Sequence, residues 1–81
     1  LSYKLLSAKW CHNCPAAKAY MNEKFGEGGY ELVDVDESSE LVLELGVRGI
    51  PTLVGDNDGE LSIVASGVEK IKKHLDTLVN I

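Results

Sequence analysis

Both cysteines of the chain lie in one short segment, Trp10 to Pro15, with two residues between them. An apolar run precedes this segment and a helical pattern follows it, so the sequence predicts a strand, a tight loop and a helix. The N-terminus of a helix has unpaired N–H groups and a partial positive charge, which favour a thiolate. One thiol can lie at the exposed helix tip and the other a turn further in. A reactive thiolate beside a resolving thiol is the requirement for thiol–disulfide exchange.

The length of 81 residues predicts one domain that spans residues 1–81. A disulfide that closes a four-residue stretch stabilises a fold little, and small secreted scaffolds usually carry several bridges. A redox pair in a cytoplasmic protein is therefore the better interpretation. The sequence predicts neither a secretory signal nor a membrane span.

The net charge of −5 is unevenly distributed along the chain. Between positions 27 and 60 there are ten acidic residues, and Arg48 is the only basic one. Nucleic-acid binding is not expected, because the neutralisation of phosphates needs clustered Lys or Arg. A solvated acidic face that aids solubility is the favoured interpretation, and a surface that selects a basic partner is the alternative.

Hydrophobic periodicity and turn signals predict the order β-α-β-α-β-β-α. The predicted strands are 3–8, 30–35, 52–54 and 60–65, and the first helix is predicted at 14–25. A short second helix is expected to carry Leu41, Val42 and Leu45, with Ser38 or Ser39 as its cap and Gly46 at its end, and Asp58-Gly59 is predicted as a hairpin turn. The last helix has an apolar stripe formed by Val68, Ile71, Leu75, Leu78 and Val79. This order predicts an α/β fold, a four-stranded mixed sheet with helices on both faces. The cysteine segment then follows the carboxyl end of the first strand, where α/β folds place their sites.

Two separate motifs resemble the thioredoxin family. Trp10 precedes the first cysteine as in the family's Trp-Cys-x-x-Cys, and residues 46–52 (Gly-Val-Arg-Gly-Ile-Pro-Thr) resemble the stretch around its cis-proline. Residues 58–60 and Gly67 fall where the family has its hairpin turn and a late glycine. The resemblance runs from about Tyr3 to the C-terminus. It implies a minimal thioredoxin fold, similar to the short thioredoxin- and glutaredoxin-like proteins.

The resemblance implies catalytic roles for three residues. Cys11 would be the nucleophile, and Cys14 would be the resolving thiol that releases the reduced substrate. Pro51 would follow a cis peptide bond and pack beside the pair, since an X-Pro bond makes the cis form accessible.

The resemblance also implies a substrate-binding set. Trp10, Ile50 and Gly67 would form an apolar docking patch, with Thr52 next to it, and the backbone of Ile50 would pair with an extended substrate segment. Two alternatives stay open: Trp10 could belong to the core, and Gly67 could serve only a strand-to-helix turn.

The sequence departs from the family at two places. His12-Asn13 replaces the usual Gly-Pro between the cysteines, and a protonated His12 would stabilise the Cys11 thiolate and make the disulfide more oxidising than the roughly −270 mV of common thioredoxin. An exposed imidazole with little effect is the alternative. The family's buried aspartate and its lysine partner fall on Leu5 and Leu32, so proton transfer at Cys14 needs another route, through His12 or water.

The resemblance implies a dithiol–disulfide oxidoreductase that reduces protein disulfides without a cofactor. A cytoplasmic monomer, thioredoxin reductase as the recharging partner and ribonucleotide reductase as a possible client are expected. A glutathione-dependent glutaredoxin type is the main alternative. A metal or iron–sulfur binder is less favoured, because Cys11, Cys14 and His12 supply at most three ligands where structural zinc takes four. No metal site is therefore predicted.

Overall fold

The computed structural model describes residues 2–26 and 28–78. The elements follow the predicted order, and their bounds are β1 (Ser2–Ser7), α1 (Cys14–Phe25), β2 (Glu31–Asp34), α2 (Ser39–Leu45), β3 (Thr52–Asn57), β4 (Glu60–Ser66) and α3 (Val68–Thr77). None of the helices in these two stretches is long and apolar enough to pass through a membrane.

The four strands form one mixed sheet in the order β2-β1-β3-β4, which confirms the predicted fold class. β1 pairs with β2 in parallel and with β3 in antiparallel orientation, and β3 and β4 form a hairpin. The carboxyl ends of β1 and β2 therefore meet at the same edge of the sheet as the start of β3. This edge brings together the loop after Ser7, the loop after Asp34 and the segment before Thr52.

Helix α1 has the predicted bounds, Cys14–Phe25. Pro15 is tolerated in the first turn, because the N–H groups there have no partner within the helix. The buried residues Cys14, Ala17 and Met21 follow helical spacing and face the sheet. Gly26 ends the helix with a φ of 81°, a conformation that glycine adopts at little cost. Local signals thus fix both ends of the helix that carries Cys14.

The two faces of the sheet have separate apolar layers. Successive strand residues point to opposite faces, so Leu5 packs on one side and Leu6 on the other. On the first face, helices α1 and α3 cover a cluster of buried residues formed by Leu5, Ala17, Met21, Leu53, Ala65, Ile71 and Leu75. On the second face, α2 and its flanking loops cover Leu6, Val33 and Val54. The prediction of helices on both faces is confirmed.

The β3–β4 turn is formed by Asp58 and Gly59, as predicted from the sequence. Both residues have positive φ angles, 56° and 90°, and the Gly59 N–H donates to Oδ1 of Asp56 at 2.8 Å. Both strands are longer than predicted, since β3 continues to Asn57 and β4 to Ser66.

Helix α3 packs its apolar stripe against the sheet, with Ile71 and Leu75 buried, while the predicted stripe residue Val79 lies outside the described residues. The sequence places His74 on the solvent face, and this prediction was wrong. His74 is half-buried, with Nε2 3.4 Å from the Tyr3 hydroxyl and its ring edge-on to the Tyr3 ring. The cause is spacing, because His74 follows Ile71 by three positions and lies on the flank of the stripe.

Candidate active site

Cys11 and Cys14 form a disulfide at the junction between β1 and α1, and their Cα atoms are 5.5 Å apart. The loop before the helix is tight, since the Cys11 N–H donates to the carbonyl of Ala8 at 3.2 Å. Cys11 is partly exposed, whereas Cys14 is the first residue of α1 and only 2% exposed. The two sulfurs therefore differ in access to solvent, as the division into nucleophile and resolving thiol requires.

The N-terminus of α1 keeps its positive character in this structure. Asn13 occupies the N-cap position without a side-chain cap hydrogen bond, and no acidic residue lies in the first turn. The unpaired N–H groups and the helix dipole are thus available to an anion at this end. Both the N–H groups and the dipole stabilise an ionised sulfur at Cys11, which lies just before the helix.

The peptide bond between Ile50 and Pro51 is cis, the isomer that the resemblance implies. Pro51 is fully buried, and its carbonyl accepts a hydrogen bond from the Gly67 N–H at 2.8 Å. Gly67 has a φ of 91°, and a Cβ at this position would meet no atom within 4 Å. Backbone conformation is therefore what demands glycine here, and Gly67 serves the turn from β4 into α3.

Trp10 is not part of the core, because 64% of it is exposed. Together with Ile50 it lines an apolar groove of ≈ 160 Å³, called here the Trp10 groove, whose other residues are Val35, Val42, Val47, Arg48 and Gly49. Gly67 instead lines a second groove with Asn13 and Ala16. Trp10 and Ile50 thus share one groove, whereas Gly67 lines another. Gly67 nevertheless donates its N–H to Pro51, the neighbour of Ile50, so a docking patch of Trp10, Ile50 and Gly67 stays a prediction.

Asp36 is a site residue that the sequence reasoning missed. Its Oδ2 accepts a hydrogen bond from Trp10 Nε1 at 2.9 Å, and its own N–H donates to Oδ1 of Asp34 at 2.8 Å. Asp36 is thereby held at the carboxyl end of β2 and orients the indole over the groove. The sequence did contain a signal for Asp36. An acidic residue just after the second predicted strand is expected at the same end of the sheet as the cysteines.

We expect the substitution Asp36→Ala to weaken substrate binding while the chemical step stays intact. Loss of one exposed hydrogen bond to Trp10 should raise KM for a protein disulfide by about two- to tenfold, with little change in kcat. Trp10 is the only tryptophan, so its fluorescence anisotropy should fall in parallel. Asp58→Ala, in the exposed hairpin turn, is the matched control. An unchanged KM together with unchanged anisotropy contradicts the prediction.

The predicted substrate-binding role of Thr52 needs correction. Its side chain is fully buried, and Oγ1 donates to the Gly49 carbonyl at 2.6 Å and lies 3.4 Å from Oγ of Ser66. The physical reason is that Thr52 begins β3, which lies between two other strands. Its hydroxyl fixes the loop that precedes Pro51 and is not presented to a substrate.

His12 is exposed in the loop between the two cysteines. Its proposed effect on the Cys11 thiolate stays a prediction. Among residues 2–26 and 28–78, no group of three or more His, Cys, Asp or Glu side chains comes together as a metal ion would require.

A second cleft, of ≈ 470 Å³, opens beside the disulfide and is called here the Cys14 cleft. Its lining residues are Ser7, Ala8, Lys9, Cys11, Cys14, Pro15, Lys18, Leu32, Asp34 and Glu37. Leu5 and Leu32, the positions of the family's aspartate and lysine, pair across β1 and β2, but only Leu5 is buried. Leu32 is 47% exposed, because β2 is an edge strand.

Comparison with known proteins gives the family. No family model matches the chain. A thioredoxin of Bacillus subtilis is 38% identical over 77 residues, which cover 90% of this chain and 73% of that protein. The chain belongs to the thioredoxin family. The thioredoxin Asp f 29 of Aspergillus fumigatus is 39% identical over 59 residues, which cover 67% of this chain and only 54% of the fungal protein.

Solved structures agree with this fold. The thioredoxin Mala s 13 of Malassezia sympodialis superposes with a TM-score of 0.76 at 24% identity, covering 94% of this chain and 72% of that one. The glutaredoxin-like protein NrdH-redoxin of Escherichia coli gives a TM-score of 0.69 at 20% identity and covers 100% of this chain and 99% of its own. With its cysteine pair joined at the start of α1, this member of the thioredoxin family is a dithiol–disulfide oxidoreductase.

Proposed function

We propose that the chain reduces disulfide bonds of other proteins, with Cys11 as the nucleophile and Cys14 as the resolving thiol. One observation carries the proposal: the two sulfurs lie at the same helix N-terminus, yet Cys11 is partly exposed and Cys14 is 2% exposed. Only the outer sulfur can meet a protein substrate, and only the inner one is protected from reacting first.

The reaction takes place in two exchanges. The Cys11 thiolate attacks one sulfur of the substrate disulfide, a mixed disulfide forms, and the other substrate sulfur leaves as a thiolate that takes a proton from water. Cys14 then attacks Sγ of Cys11, loses its proton and releases the second substrate thiolate. The substrate gains two electrons, and the chain ends in the disulfide form that the structure shows.

The Trp10 groove is the proposed docking site for the substrate. It lies next to the cysteine loop, is largely apolar and includes Ile50, whose backbone would pair with an extended substrate segment. Pro51 has no N–H to offer a substrate, and we expect its ring to pack beside the cysteine pair and to limit access to the thiols. Gly67 supports the docking site by forming the turn from β4 into α3 and by donating a hydrogen bond to the carbonyl of Pro51.

The proposal extends to the partners of the reaction. We expect thioredoxin reductase to supply the electrons in the cytoplasm, ribonucleotide reductase to be one possible client, and residues 1–81 to act as one monomeric domain. Support comes from the thioredoxins of similar sequence and from NrdH-redoxin, a glutaredoxin-like protein with a thioredoxin-like activity profile.

Turnover of a protein disulfide with two alternative reductants tests the proposal. NADPH with thioredoxin reductase should sustain reduction, whereas glutathione with glutathione reductase should sustain it at least about tenfold more slowly. The opposite order would identify a glutathione-dependent protein of the glutaredoxin type. No turnover with either system, under conditions where dithiothreitol does reduce the chain's own disulfide, contradicts the proposal.

A further inference from the structure

The buried thiol of Cys14 needs a way to lose its proton. In the proposed reaction Cys14 must become a thiolate as it attacks Cys11, but at 2% exposure it has almost no contact with bulk water. The Cys14 cleft is lined by both cysteines and opens to solvent, so it gives water access to the buried sulfur. Any group that accepts the proton should therefore lie along this cleft.

The paired residues Leu5 and Leu32 cannot accept a proton. Side chains two positions apart on a strand point to the same face, and each residue advances about 3.3 Å. Two positions further along both strands, towards the cysteines, Ser7 pairs with Asp34 in the same register. A polar pair thus follows the apolar pair on the same face of the sheet, and both of its members line the Cys14 cleft.

The two polar side chains have free hydrogen-bonding capacity. Ser7 is only 7% exposed, and among the described residues its hydroxyl has no hydrogen-bond partner, which is costly for a buried polar group unless water satisfies it. Asp34 is half-buried, and its Oδ1 accepts the Asp36 N–H at 2.8 Å. In the part of the chain that the structure describes, Oδ2 of Asp34 has no protein partner. A water molecule between Ser7 and Asp34 would satisfy both.

We propose that Asp34 receives the proton of Cys14 through water in the Cys14 cleft, and that Ser7 is a positioning residue for that water. This inference rests on the proposed function. As Sγ of Cys14 bonds to Sγ of Cys11, the S–H proton passes to water and from water to the Asp34 carboxylate. The bond from Cys11 to the substrate sulfur breaks, and the substrate leaves as a thiolate. Asp34 then returns its proton to the solvent at the mouth of the cleft.

The direction of the rate change on removing the Asp34 charge distinguishes a proton acceptor from a purely electrostatic effect. Lys9, Lys18 and Glu37 line the Cys14 cleft together with Asp34. A carboxylate that acted through charge alone would disfavour the Cys14 thiolate, so its removal would speed the attack of Cys14. A carboxylate that accepts the proton has the opposite effect, and its removal slows the attack.

A symmetrical aromatic disulfide, 5,5′-dithiobis(2-nitrobenzoate), resolves the two exchanges in one stopped-flow trace with reduced protein. The first thionitrobenzoate is released when Cys11 attacks, and the second when Cys14 attacks. The variants are Asp34→Asn, which keeps the Oδ1 acceptor for the Asp36 N–H, and Ser7→Ala. Glu37→Gln removes a charge from an exposed position of the same cleft and is the matched control.

We expect Asp34→Asn to slow the second release by at least about tenfold near pH 6 and Ser7→Ala to slow it by a smaller factor, with the first release unchanged. The difference from wild type should shrink as the pH rises, because hydroxide then competes with Asp34 for the thiol proton. Glu37→Gln should not slow either release. A second release in Asp34→Asn that is unchanged or faster at every pH overturns the inference. A wild-type chain without a fast first release overturns the proposed function instead.

Discussion

The Cys14→Ser variant should accumulate a covalent complex with its protein substrates, whereas Cys11→Ser should capture nothing comparable. In the first variant Cys11 still attacks the substrate disulfide, but no thiol remains to release the mixed disulfide. Turnover should fall by on the order of a thousandfold or more in both variants, because the two thiols act as a unit. Non-reducing electrophoresis followed by mass spectrometry measures the capture and identifies the client.

Alkylation of the reduced wild-type chain is the control for this result. Cys11, partly exposed at the positive end of α1, should react with iodoacetamide at neutral pH much faster than the buried Cys14. Equal, slow modification of the two thiols would remove the distinction between nucleophile and resolving thiol. The fold assignment would survive that outcome, but the redox mechanism would not.

The second large effect is on stability. Leu5→Asp should reduce the free energy of unfolding by about 4 kcal/mol or more at neutral pH, because it removes a fully buried leucine and places an unpaired carboxylate in the apolar cluster that includes Ala17 and Met21. A chain of this length has a total stability of only about 4–12 kcal/mol. Urea unfolding followed by circular dichroism measures the loss. The matched control is Leu32→Asp, at a half-exposed position of the edge strand, which should cost less than about 1 kcal/mol.

The destabilisation should depend on pH in a defined direction. Burial raises the pKa of an aspartate at position 5 above its unfolded value of about 3.9, so the folded variant holds the proton more tightly than the unfolded one. Relative to wild type, Leu5→Asp is therefore least destabilised below about pH 4, and the destabilisation grows as the pH rises through the raised pKa. If the loss in free energy of unfolding relative to wild type is equal at about pH 4 and pH 7, the new carboxylate is exposed to water and position 5 is not buried in the core.

Much of the fold followed from signals that are local in the sequence. Pro15 and Gly26 mark the two ends of α1, and Asp58 with Gly59 marks the hairpin. Proline has a fixed φ that suits a first helical turn, and glycine and aspartate adopt the positive φ that most other residues avoid. The location of the disulfide loop followed from the strand before it and the helix after it. Such features need no knowledge of distant parts of the chain.

The features that were missed depend on contacts between distant segments. The hydrogen bond from Trp10 to Asp36 joins residues 26 positions apart, and the contact from Tyr3 to His74 joins residues 71 positions apart. The burial of Thr52 depends on the strands on both sides of β3. Periodicity gives the face on which a residue lies, but it does not give the residue that it meets there. The Ser7 and Asp34 pair likewise becomes visible only once the register of β1 and β2 is known.

The turn at Asp58 and Gly59 lies at the opposite end of the sheet from the disulfide, because β3 starts beside Pro51 and runs away from it. Both turn residues are exposed and bear no part of the proposed chemistry. Exposed loop tips of this kind tolerate inserted sequence well. A purification tag or a fluorescent label inserted in this turn would leave the disulfide at the other end of the sheet accessible. The same turn is therefore a suitable attachment point for immobilising the protein on a surface.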